Sequence, residues 1–81
     1  MDYAIYKTNN GKYARIIHRF TQEACNHRAK LAARKKLDDM YRYVIQSRLY
    51  RNFAGTKDEF SYDYFTSVNT TERIRFYIAK L

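Results

Sequence analysis

Two tyrosines and two arginines, Tyr6, Tyr13, Arg15 and Arg19, flank the dipeptide Asn10-Gly11 at spacings that bring them together if the chain folds back there. Phenol rings offer flat faces to unpaired bases, and guanidinium groups pair bidentately with phosphates and also stack. Further along come His27, Arg28, Lys30, Arg34 and Lys35, then Arg73, Arg75 and Tyr77 at alternate positions. This is the equipment of a surface for anions and bases. The structural reading of each residue taken alone is a solvated face or the rim of a small core.

Other chemistries find less to work with. One cysteine, Cys25, cannot form an internal disulfide, and with His18 and His27 it has no pair at zinc-finger spacing. Its simplest role is a small core side chain. Two glycines cannot build a phosphate cradle, and no nucleophile elbow or His-Glu-x-x-His occurs. No metal and no cofactor is expected. A small ribonuclease, using arginine against the phosphate and histidine or tyrosine to move protons, is the catalytic alternative to plain binding. Bacterial ribonuclease toxins are similar in size and charge, but their usual order of one strand followed by helices differs from the opening hairpin expected here.

The elements that would position these residues start from Asn10-Gly11. A type I′ turn needs positive φ at both central residues, which this dipeptide supplies at least cost. With Asn9 opposite Lys12, simple alternation puts Thr8 opposite Tyr13, Tyr6 opposite Arg15 and Ile5 opposite Ile16. One face then carries Ile5, Ala14, Ile16 and Phe20, with His18 on the same side. The other carries Tyr6, Tyr13, Arg15 and Arg19, with Ala4 and Ile17 among them.

Thr21 is suited to cap a helix from Gln22 to about Lys36. Its small-residue stripe is Cys25, Ala29, Ala32 and Ala33; His27, Lys30 and Arg34 lie opposite, with Arg28 and Lys35 on one flank. Lys36 would enter the stripe, so an end or bend is expected between Lys35 and Asp39. Met40 to Tyr50 alternates in a strand-like way and is read as a strand, with a helix as the alternative. Gly55 to Asp58 marks a turn. Phe60 to Val68 and Arg73 to Ala79 form a second hairpin around Asn69-Thr70-Thr71, with Ile74, Phe76 and Ile78 on one face and Arg73, Arg75 and Tyr77 on the other. The expectation is a single α+β domain over 1–81: an antiparallel sheet with an N-terminal hairpin and one main helix packed on it, ββαβββ, or ββααββ under the alternative.

Composition fits this. The chain has 81 residues, 46% hydrophobic, with no proline and two glycines, which suits one folded unit rather than a linker. Its formal charge is +8. Met1 to Lys36 holds nine basic and two acidic residues, a net of +7; the remainder holds seven and six, a net of +1. The nine tyrosines and five phenylalanines exceed what a core this small hides easily. No apolar run approaches the roughly 20 residues of a membrane span, and the start lacks a signal pattern, so a cytoplasmic protein is expected.

In size and composition over its whole length the chain resembles the small, basic, Lys/Asn/Tyr-rich accessory proteins of AT-rich tailed phages, some of which block host defence systems. The resemblance has no motif and carries over no functional residue. It implies a non-enzymatic inhibitor acting in the host cytoplasm on nucleic acid, a host protein or a nucleoprotein. The residues themselves point to RNA or single-stranded nucleic acid as the partner, bound with little regard to sequence. Contact with an acidic protein, or a homodimer through sheet edges, is the alternative use of the same surface.

Overall fold

A computed structural model describes residues 2–21, 29–47, 50–67 and 70–81. The elements run β1 (Tyr3–Asn9), β2 (Lys12–Phe20), α1 (Ala29–Ser47), β3 (Tyr50–Gly55), β4 (Glu59–Ser67) and β5 (Thr70–Lys80). The strands form one antiparallel sheet in the order β2-β1-β5-β4-β3. This is the ββαβββ α+β domain expected from the sequence. β2 and β3, the strands before and after the helix, are the two edges of the sheet. Four strand spacings are about 19 Å, and nineteen helical residues rise about 28 Å, so α1 is long enough to carry the chain across the whole sheet. Its described turns contain no segment long and apolar enough to cross a membrane.

That crossing corrects two expectations. The helix does not end between Lys35 and Asp39, and Met40 to Ser47 is helix rather than strand. The buried residues Ala29, Ala33 and Leu37 continue into Met40 and Val44, which pack against the core, so the apolar stripe runs unbroken where alternation suggested a strand. Packing outweighs local β propensity. Lys36 flanks the stripe, half-buried. The shift of the stripe also moves Lys30 and Arg34 from its far side to its flank, where both are half-buried, and leaves Ala32 only half-buried. At the end of α1, the Ser47 hydroxyl donates to the Val44 carbonyl at 2.7 Å, satisfying a group the helix leaves open. The expected Thr21 cap, Cys25 and the turn at Asn69 involve Gln22 to Arg28 and Val68 to Asn69, outside the described residues.

The Asn10-Gly11 turn forms as its composition dictates, with φ of 54° and 72°. Asn10 also fastens the hairpin to β5: its N–H donates to the Arg73 carbonyl at 2.7 Å, and its Oδ1 accepts from the Arg73 N–H at 2.8 Å. Beyond Asn9 and Lys12 the simple register fails. Lys7, which alternation alone would set opposite Ala14, stands opposite Arg15; Tyr6 stands opposite Ile16, and Ile5 opposite His18. Two bulges cause the slip, one at Tyr13-Ala14 and one at Ile17. The first reverses which face each β2 side chain takes. The second restores it, so that Phe20 ends beside Tyr3 on the helix side while Ile17 also packs against the core. With a single bulge Phe20 would have faced away from the core. Bulges and charges on an edge strand also discourage pairing with another chain.

The main core lies between α1 and the sheet, where Ile5, Leu37, Phe60, Ile74 and Phe76 are buried. The surplus tyrosine is partly absorbed by it. Tyr41 meets Phe53 edge-on at 4.9 Å, Tyr50 meets Phe53 at 5.4 Å, and Tyr62 stacks on Phe60 at 6.2 Å. Burial raises the Tyr62 phenol above its ordinary value. Gly55 sits opposite Phe60, where an added Cβ would stand 3.2 Å from the Phe60 Cβ.

Arg34 ties α1 to the β3–β4 turn, its Nε donating to Asp58 Oδ1 at 2.6 Å. That hydrogen bond holds the Asp58 carboxyl below its ordinary value. A carboxyl lowered by folding stabilises the fold fully above its unfolded value of about 3.9, and that contribution is lost as pH falls through the lower folded value. We expect the urea midpoint to drop as pH is taken below about 4, and to drop less in Asp58→Asn. An equal drop in both proteins would assign the acid sensitivity elsewhere.

Candidate functional site

The face of the sheet opposite α1 has no other element packed on it among the described residues, and the molecule is correspondingly thin, 45 × 26 × 16 Å. Pairing of β1 with β5 places Tyr6 directly opposite Tyr77 on this open face. The rings stack with centroids 5.3 Å apart and planes 13° from parallel. Arg75, two residues back on β5, lays its guanidinium 4.4 Å from the Tyr77 centroid. Glu59, opposite Tyr77 on β4, fixes it there by accepting from Arg75 Nε at 2.7 Å. The result is a column, Arg75 on Tyr77 on Tyr6, running across the sheet from β4 toward β2.

The column ends at Tyr6. Ile16 lies opposite on β2, and Arg19, opposite Ala4, is the next cation along the same face. Arg19 is exposed and makes no ion pair or hydrogen bond with a described residue. The other end of the face is closed chemically. Arg73 reaches Asp63 at 3.1 Å, the Asn52 carbonyl at 2.9 Å and the Ser61 hydroxyl at 2.8 Å, while Asn52 Nδ2 donates to Asp63 Oδ2 at 2.7 Å. Hydrogen bonds from Asn52 first, then Arg73, hold the Asp63 carboxyl below its ordinary value. Comparison with known protein families, curated proteins and solved structures finds no match to this chain. What the surface does must be argued from its geometry.

The structure gathers some sequence-derived candidates and scatters others. Tyr6, Arg19, Arg75 and Tyr77 share the open face. Arg73 shares it too, but its charge is committed to Asp63. Tyr13 and Arg15 do not lie beside Tyr6 as simple alternation implied, because the first bulge carries them to the hairpin tip and sets Arg15 opposite Lys7. On α1, Arg34 is committed to Asp58, Lys30 lies 5.9 Å from the Tyr3 ring, and Lys35 faces solvent. His27 and Arg28 lie outside the described residues. His18 is exposed opposite Ile5, its ring 5.4 Å from Phe20, and so departs from Ile16's face. Sequence reasoning missed Glu59 and Asp63, the carboxylates that hold the two β5 arginines. Both sit on the arginine face of β4, Asp63 directly opposite Arg73 and Glu59 diagonal to Arg75, and that alternation is the signal that was there to be read.

A groove of about 460 Å³ also opens on the helix side, lined by Met40, Tyr43, Val44, Tyr62 and Phe76 with Lys36 and Asp39 at its rim.

Proposed function

We propose that this protein binds single-stranded nucleic acid, RNA foremost, with little regard to sequence and without cleaving it. The observation that carries the reading is the Arg75–Tyr77–Tyr6 column, which ends in an aromatic ring beside Ile16, with Arg19, which has no partner among the described residues, along the same face. A base set against Tyr6 extends the column by one ring, and every base has a face to offer, so stacking of this kind tolerates sequence. Arg19 is placed for the adjoining phosphate. An open sheet face suits splayed, unpaired bases, whereas a duplex keeps its bases stacked on one another. The net charge of +8 supplies the long-range attraction.

The test is binding of labelled oligouridine, followed by fluorescence anisotropy across a range of salt concentrations. Affinity should fall as salt rises, with a slope of about −0.7 for each phosphate contacted, and Arg19→Ala should remove about one such unit. Absence of binding at low salt, or tighter binding of duplex than of single strand, would defeat the proposal. Retention of an acidic protein partner after nuclease digestion would replace it with the protein-directed reading.

A further inference from the structure

The tip of the β1–β2 hairpin carries chemistry that the open face does not use. Tyr13 is 93% exposed, with φ of 50°. A left-handed backbone is uncommon for any side chain but glycine and least expected for a bulky one. Nothing in the core requires a tyrosine here. The bulge that holds this conformation turns Lys12, Tyr13 and Arg15 about a groove of about 350 Å³, completed by Asn9 and Asn10.

Among the described residues no carboxylate pairs with the cations of the groove. Lys12 and Arg15 are exposed and make no ion pair with a described residue. The acid closest in the register, Glu72, already accepts from Asn9 Nδ2, and Asn10 is held by Arg73. Lys7, opposite Arg15, adds a third positive charge and rests 5.7 Å from the Phe76 ring. Two cations with no ion-pair partner among the described residues, beside an exposed aromatic ring, match a phosphate with its base attached better than either alone. A volume of about 350 Å³ lies within the range of small-ligand pockets, roughly 300–1,000 Å³.

We infer that the hairpin tip grips one nucleotide of the bound strand, its phosphate between Lys12 and Arg15 and its base against Tyr13. This rests on the reading that the protein binds single strands. Asn9 lies three residues beyond Tyr6, about 10 Å at the rise of a strand, and on the other face of the sheet, so a strand holding both the column and the tip passes around the hairpin's edge.

The experiment compares Lys12→Ala/Arg15→Ala and Tyr13→Ala with Arg19→Ala, using labelled oligouridine and circular dichroism to verify the fold. The charge variant should flatten the salt slope by about 0.7, the share of the one phosphate it no longer holds. Tyr13→Ala should weaken binding roughly 5- to 150-fold, and Tyr13→Phe should restore it. If both tip variants bind like the parent while Arg19→Ala weakens binding, the tip inference falls and the open-face reading stands. If the parent fails to bind, both fall. Loss in the charge variant with none in Tyr13→Ala, or displacement of oligouridine by polyglutamate at equal charge, overturns the assignment of a nucleotide to this groove.

Discussion

Replacing Phe60 by alanine is expected to destabilise the protein by about 3–5 kcal/mol, the usual loss when a buried aromatic is truncated and its cavity only partly collapses. Phe60 is 2% exposed and is the largest fully buried side chain among the described residues, with Ile5 the next. It sits where four rings meet: Phe76 at 5.2 Å, Phe53 at 5.7 Å, Tyr41 edge-on at 5.9 Å and Tyr62 at 6.2 Å. Those contacts join α1 to β3, β4 and β5, so their loss loosens every element of the C-terminal half at once. Neighbouring rings are rigid discs and refill a hole poorly. A chain of this length has about 4–12 kcal/mol in total at the usual ~0.05–0.15 kcal/mol per residue. The variant is therefore expected to be largely unfolded at moderate urea. Urea denaturation followed by circular dichroism measures it, and a loss below about 1 kcal/mol would contradict the placement of Phe60 at the core's centre.

The distribution of charge explains why the surface is basic on one side of the chain and quiet on the other. Arg73 and Arg75 are answered by Asp63 and Glu59 within the C-terminal half, and Asp58 takes Arg34 from the helix. The near balance of residues Leu37 to Leu81 is thus realised as local pairing. Lys12, Arg15, Arg19 and Lys35 find no such partner among the described residues, and all belong to the segment whose net charge is +7.

What was legible follows from the range of the interaction involved. The Asn10-Gly11 turn was readable because positive φ at two successive residues is a demand that few dipeptides meet. The bulges after it were not, since Tyr13 and Ile17 are ordinary strand residues and a register without bulges also sets Phe20 on the face of Ile5. For the same reason Met40 to Ser47 was misread. Its alternation favours a strand locally, but the chain must first cross the sheet from one edge to the other. The grouping of Arg73, Arg75 and Tyr77 on one face was visible by period two. Their meeting with Tyr6 was not, because β1 and β5 come from opposite ends of the chain and no turn announces their pairing.

That pairing sets the second large expectation. Tyr6→Ala should weaken binding of oligouridine by about 1–3 kcal/mol, roughly 5- to 150-fold, because it removes the ring against which the base is proposed to stack. Tyr6→Phe keeps the ring and should bind nearly as the parent does. Tyr77→Ala is the informative companion. Both faces of Tyr77 are already covered, by Tyr6 and by the Arg75 guanidinium held on Glu59, so its ring is not free for a base. Its loss should act indirectly, leaving Tyr6 unsupported and Arg75 without its ring, and should therefore cost less than Tyr6→Ala. Salt separates these effects from charge: neither tyrosine variant removes a phosphate contact, so both should shift the affinity at every salt concentration while keeping the parent's slope. Circular dichroism guards against unfolding, since Tyr6 is half-buried. Equal losses in Tyr6→Phe and Tyr6→Ala would point to the hydroxyl rather than the ring. A larger loss for Tyr77→Ala than for Tyr6→Ala would mean that the base enters from the β4 side, where Arg75 would have to swing away from Tyr77 to admit it.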